Sequence, residues 1–277
     1  MKGTVFALAS LFALSALALV PSEAKITLVE GNNMPLVEAT LDGVKCTLIL
    51  DTGASHTTFD VGFVTNAFPS AKLSPVELIG RTNVRSGAPC FFGAKKLEVG
   101  SMTFDAREAM AFPLGQLNAV VGRRVDGILG MNHLLARPFL LSLAEGRIIW
   151  DPPTEARMDF VRAVSTSRDN RRELRVMTPK GETLPLLIDS GSTWTFVEKG
   201  LWPEAEREAR FSSADVNRRA MESMPYGVRQ KVTSGVEFEL EPLIAPQRGL
   251  NQIGASALKE LDVIFDGEEV YLRHVRK

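Results

Sequence analysis

Cysteine, histidine and unpaired charge are all scarce in this chain. Its 277 residues hold two cysteines and three histidines, and 32 Lys and Arg stand against 33 Asp and Glu, a formal net charge of −1. Two cysteines exclude a disulfide-dense scaffold. With no CxxC pair and no Cys/His cluster, a structural zinc site has no ligand set to draw on, and no metal or cofactor is expected. The near-neutral balance removes the basic field on which non-specific nucleic-acid binding depends, so no nucleic-acid partner is expected either. Apolar residues are not scarce: 45% of the chain is hydrophobic and 23% charged, the composition of a globular protein rather than a disordered one.

Beyond residue 20 no segment is apolar enough to span a membrane. Before it, Lys2 supplies a short positive start, Val5 to Val20 is a run of 16 apolar or small residues, and Ser22-Glu23-Ala24 has the small-x-small form of a cleavage site. A spanning helix needs about 20 apolar residues. The segment 1–24 therefore reads as a secretory signal cut after Ala24, which predicts an exported protein, periplasmic or secreted. The alternative is a chain tethered to the membrane by an uncleaved signal. What remains is long enough for two lobes.

The remainder repeats itself. Gly43-Val44-Lys45-Cys46-Thr47-Leu48-Ile49-Leu50-Asp51-Thr52-Gly53-Ala54-Ser55 aligns without gaps, at an offset of 138, on Gly181-Glu182-Thr183-Leu184-Pro185-Leu186-Leu187-Ile188-Asp189-Ser190-Gly191-Ser192-Thr193. In each copy a Gly turn leads into an apolar run of the kind that forms a strand buried on both faces, and the run ends at an Asp. The Gly two residues later suits a tight turn. Further on, Leu129-Gly130-Met131-Asn132-His133-Leu134 matches Ile253-Gly254-Ala255-Ser256-Ala257-Leu258, and Phe139 to Ser142 matches Val263 to Asp266. Short alternating segments broken by Gly and Pro fill the space between, a mainly β pattern. The organisation expected is one lobe over 25–150, a connection over 151–172 opening with Pro152-Pro153, and a second lobe over 173–277. Helix is a minority, with Pro203 to Met224 as the best candidate on its Glu, Ala and Arg content.

Two Asp residues at equivalent positions of two related lobes point to one site on a pseudo-twofold axis. Two carboxylates that close do not both ionise, so one keeps a proton while the other stays charged. Such a pair supplies a general base for water and a general acid for an amide carbonyl. Asp51-Thr52-Gly53-Ala54-Ser55 and Asp189-Ser190-Gly191-Ser192-Thr193, each with its apolar lead and a later apolar pair with Gly, resemble the two active-site signatures of the aspartic peptidases. Both lobes in one chain resemble the pepsin-like branch, while the compact lobes are closer to the retropepsin type; a short, bacterial-type enzyme fits both features.

The resemblance implies an all-β fold of two pseudo-twofold lobes and an exported aspartic endopeptidase that acts on peptide or protein substrates, as a monomer, with no cofactor. Asp51 and Asp189 would hold the attacking water. Thr52 and Ser190 would bond across the lobe interface, and Gly53 and Gly191 would bring backbone N–H groups to the carboxylates. Ser192 sits where the family often has a hydroxyl bonded to the catalytic Asp, whereas the first copy has Ala54 there; this predicts an optimum less acidic than a digestive enzyme's. The alternative is a catalytically silent relative that binds extended peptides in the interlobe cleft.

A flap from the first lobe is expected at about 83–92, with Ser86 and Gly87 at its tip. The usual flap tyrosine has no counterpart, since the tyrosines are Tyr226 and Tyr271. Cys46 and Cys90 are candidates for a bridge between the strand before Asp51 and the flap, or Cys46 is a small buried residue. His56, His133 and Asn132 read as structural, and Trp194 as a core residue or a subsite wall.

Overall fold

The computed structural model describes residues 21–75, 89–178, 180–214, 219–246 and 248–275. The apolar run Val5 to Val20 and the flap-tip residues Ser86 and Gly87 lie outside them. Among the described residues no helix is long and apolar enough to cross a membrane.

The fold is mainly β, with two large sheets and a few short helices. Each half is built round the strand that its apolar run predicted. In the first, Val44–Leu50 pairs antiparallel with Pro35–Leu41 and parallel with Gly127–Leu129. In the second, Thr183–Ile188 pairs antiparallel with Arg171–Met177 and parallel with Gln252–Ile253. Leu48 and Leu50, like Leu186 and Ile188, are fully buried in the main core. A strand shielded on both faces needs no polar alternation, which is why these runs read as continuous apolar sequence.

A sheet joins the halves. Phe139–Ser142 lies antiparallel against Leu261–Asp266, with Leu140 opposite Ile264. These two residues are equivalents in the repeat, so the pseudo-twofold axis passes between them, and the Phe139 and Phe265 rings stack with centroids 4.6 Å apart beside it. Arg147–Trp150 and Glu269–His274 extend the sheet on either side. The stretch 151–172 is woven into the fold rather than slung between lobes: Val161–Arg162 pairs with Tyr271 and Leu272, and Ser165–Arg168 pairs with Arg171–Leu174.

Two expectations are revised. Pro203 to Met224 is not helical; Glu204–Ala214 and Arg219–Gly227 form a long antiparallel hairpin with a register shift between Glu204 and Glu208. Its base buries Ala209 and Met224 against Leu243 and Ala245, and its first strand lies beside the helix Gly115–Val121 of the other half. Tertiary burial overrides the helix propensity of its Glu, Ala and Arg residues. Secondly, no disulfide joins Cys46 to Cys90. Cys46 faces the main core opposite Ala39, while Cys90 sits in another strand between Pro75 and Ala111. Burial, aided by the Asp126 and Glu38 charges, pushes the Cys46 thiol up to about 12. Ser22-Glu23-Ala24 is part of a strand, Ser22–Leu28, whose first four residues pair with Arg147–Trp150 and whose Ala24 is buried.

Candidate active site

Asp51 and Asp189 each follow directly on a central strand, and each backbone N–H is tied to the neighbouring parallel strand, Asp51 to the Leu129 carbonyl and Asp189 to that of Ile253, both at 3.0 Å. The turns behind them are anchored alike. Met131 donates to the Ala54 carbonyl at 2.9 Å and Ala255 to that of Ser192 at 2.7 Å. A Cβ on Gly130 would stand 2.5 Å from the His56 carbonyl carbon, and one on Gly254 2.3 Å from the Trp194 oxygen. The second Gly signature therefore marks a close backbone crossing in each half.

Thr52 and Ser190 lock the two turns together. The Thr52 hydroxyl donates to the Ile188 carbonyl at 2.8 Å and accepts the Ser190 N–H at 3.0 Å; the Ser190 hydroxyl donates to the Leu50 carbonyl at 2.7 Å and accepts the Thr52 N–H at 3.0 Å. Both side chains are fully buried, and these four bonds pair both hydroxyls, both N–H groups and the Leu50 and Ile188 carbonyls that the crossing takes out of water. An unmade bond at this depth costs about 1–3 kcal/mol per group.

The glycines set the spacing of the carboxylates. A Cβ on Gly53 would lie 2.5 Å from the Asp189 carboxyl carbon, and one on Gly191 2.3 Å from that of Asp51. Each Asp is thus packed against the other half's glycine. Asp51 accepts N–H bonds from Gly53 at 2.8 Å and Ala54 at 3.0 Å. Burial raises both carboxyls above the ordinary range. For Asp51 the rise is opposed by its N–H donors and by a bond from Asp189; for Asp189 the Asp51 charge adds to burial and carries it further. The pair therefore shares one proton, so that one carboxyl stays protonated while the other is charged.

Ser192 departs from its expected role. Its hydroxyl donates to the Trp194 carbonyl at 2.9 Å rather than to Asp189, which is held instead by the Ser192 and Gly191 N–H groups. Neither half thus gives its Asp a hydroxyl donor from this position. Trp194 is half-buried and packs with Phe196 and Tyr226 at the hairpin base. His56 is exposed, its Nδ1 3.0 Å from the Ser55 hydroxyl.

His133 and Asn132 brace the first turn. Gly130 N–H donates to the Thr57 hydroxyl at 3.0 Å, which reaches His133 Nδ1 at 2.9 Å, and Nε2 donates to the Asp105 carbonyl at 2.9 Å. Nδ1 also lies 3.1 Å from Asn132 Oδ1, and burial lowers the pKa of the imidazole, which favours its neutral form. Asn132 Oδ1 accepts the Thr57 N–H at 2.8 Å. The sequence carried no sign of the Thr57 bridge beyond a second threonine, Thr195, at the same offset; Thr195 likewise accepts the Gly254 N–H, at 3.2 Å.

No cluster of three or more His, Cys, Asp or Glu suited to a metal occurs among the described residues. A cavity of about 220 Å³ lined by Trp194, Arg207, Tyr226, Arg229 and Glu241 contains neither Asp. Its arginines are spent on Glu241, and Arg207 also lies over the Tyr226 ring.

No curated protein matches the chain. Residues 37–133 match the family model of the aspartyl proteases. The matched segment carries Asp51, the Gly53 turn and the Gly130 crossing, and the match supports an aspartic peptidase family, and with it a peptidase function in general, for this chain.

Proposed function

We propose that the protein is an exported, single-chain aspartic endopeptidase that hydrolyses peptide bonds in the cleft between its lobes. The observation that carries this reading is the reciprocal packing of each Asp on the other half's glycine, with unequal elevation of the two carboxyls. Asp51, as the charged partner, takes a proton from a water between the carboxyls while the oxygen of that water adds to the scissile carbonyl carbon. Asp189 gives its proton to the carbonyl oxygen, so the intermediate is a neutral gem-diol and Asp189 now bears the charge. Asp189 then recovers a proton from a diol hydroxyl as the carbonyl reforms. The proton gained by Asp51 passes to the amide nitrogen, and the C–N bond breaks to release an acid and an amine. Charge moves within a fixed frame of N–H donors, which needs little reorganisation.

The full chain and an Asp51→Asn variant incubated with a denatured protein substrate across pH 3 to 8 provide the test. Cleavage by the first alone, falling at least about 10³-fold in the variant, is the expected outcome. Equal cleavage by both, or none by either, would overturn the proposal, and binding of extended peptides without cleavage would favour the silent relative.

A further inference from the structure

His133 is a buried ionisable group to which the proton transfers above give no part, and it stands behind one half of the dyad only. Its short helix, Met131–Leu134, opens with Met131 and Asn132 donating to the Ala54 and Ser55 carbonyls, at 2.9 and 3.2 Å, in the turn after Asp51. The second half repeats this frame. Ala255 and Ser256 donate to the Ser192 and Thr193 carbonyls, at 2.7 and 3.1 Å, and Thr195 takes the Gly254 N–H where Thr57 takes that of Gly130. At the equivalent of His133, however, it has Ala257. The frame therefore stands without a ring, and what the ring adds to the first half is a bond that depends on a proton.

Three polar neighbours fix what that proton does. The Asp105 carbonyl, 2.9 Å from Nε2, can only accept, so Nε2 carries a hydrogen in both charge states. In the neutral ring Nδ1 is bare: it accepts the Thr57 hydroxyl at 2.9 Å and faces Asn132 Oδ1 at 3.1 Å with no hydrogen between them. A second proton gives Asn132 Oδ1 a donor and takes from the fully buried Thr57 hydroxyl the acceptor of its own hydrogen. That hydroxyl is the one holding the Gly130 N–H. Burial keeps the ring neutral to below the ordinary histidine value; the Glu108 and Asp105 carboxylates favour the charged ring, and His56 opposes it. Bonds from Arg107 lower Asp105 to about 2, so its charge is constant where the ring titrates.

Resting on the peptidase reading, we propose that His133 is a positioning residue that sets the acid limit of activity. Neutral, it holds Thr57, and through Thr57 the Gly130 crossing, in the arrangement that places Asp51. Protonated, it turns to Asn132 and lets that crossing loosen. Ala257 gives the turn of Asp189 no such dependence. The loss falls on kcat, because the group displaced is the carboxylate that takes the proton from water.

The test is kcat and KM of the full chain and of His133→Gln between pH 3 and 8. The Gln amide can donate to Asp105 and accept from Thr57 but takes no proton. Its acid limb is expected about one pH unit or more below that of the wild type, roughly a tenfold gain in kcat on that limb, with KM alike in both. Hydrogen exchange of the Gly130 amide, followed by NMR beside the His133 ring signals, should quicken about tenfold beyond its intrinsic pH trend as the ring protonates, and not in His133→Gln. Circular dichroism reports whether the variant is folded; if it is not, wild-type exchange against the ring titration decides. An acid limb unmoved in the folded variant would be the dyad's own and, like Gly130 exchange indifferent to the ring's charge, overturns the inference while leaving the peptidase reading intact. If the wild-type chain cleaves nothing, that reading falls, and the exchange still decides whether the ring governs the turn.

Discussion

Asp51 and Asp189 were legible because an unbroken apolar strand that stops at a carboxylate is an expensive arrangement, and here it occurs twice in register. What the sequence hid at this scale is direction. The Ser192 hydroxyl has several acceptors within reach, and only the fold shows that it turns to the Trp194 carbonyl. The glycines gain the sharpest meaning from the structure. Adding a methyl at Gly53 puts an atom 2.5 Å from the Asp189 carboxyl carbon, so the carboxylate must move by an ångström or more. Misplacement on that scale costs about 10²-fold in rate. Gly53→Ala is expected to lower kcat/KM by at least that factor while its circular dichroism spectrum stays that of the wild type. A variant of undiminished activity would show that the carboxylates do not act from these positions.

At the scale of elements, strands with continuous apolar runs were readable and strands with charged surfaces were not. Glu204–Ala214 is mostly Glu, Arg and Ala, with Glu204, Glu206, Arg207, Glu208 and Arg210 exposed, and its composition favours a helix that its neighbours do not permit. Shifted back by the repeat offset of 138, the hairpin Glu204–Gly227 falls on 66–89, overlapping the flap expected in the first lobe. The N-terminal strand teaches the converse. Ser22-Glu23-Ala24 fits a cleavage signal, yet the same residues pair with Ile148, Ile149 and Trp150, and Gly100 lies so close to Glu23 and Ala24 that it has no room for a Cβ. Chains beginning at Ser22 and at Lys25 separate the two readings. The shorter one loses three strand pairs and a buried side chain, and its unfolding free energy is expected to fall by about 1–3 kcal/mol in a urea titration. Equal stability would show that the strand begins in effect at Lys25.

At the scale of the molecule, the axis between Leu140 and Ile264 explains why two halves that differ in most surface residues meet with one carboxylate each. The same burial that builds the dyad ties stability to pH from two sides. Asp189, and to a lesser degree Asp51, has a folded pKa above the unfolded one. The folded state keeps a proton that the unfolded chain releases, so stability is full below the ordinary carboxylate range and is lost as pH rises through the folded value. His133 is displaced in the other direction by burial. Its neutral form contributes full stability above the ordinary histidine value, and that contribution is lost as pH falls through the depressed one. Each unit of displacement is worth about 1.4 kcal/mol. Between the ordinary carboxylate and histidine values the two contributions oppose each other, and above the ordinary histidine value only the loss from the carboxyls remains, so denaturant midpoints measured from pH 3 to 9 are expected to decline on the alkaline side. Asp189→Asn removes the group that must ionise, and should flatten this alkaline limb and raise stability there while leaving the His133 contribution in place. An alkaline limb of unchanged slope in that variant would mean that Asp189 is not the carboxyl that carries the proton, and the roles assigned to the two aspartates would have to be exchanged or abandoned.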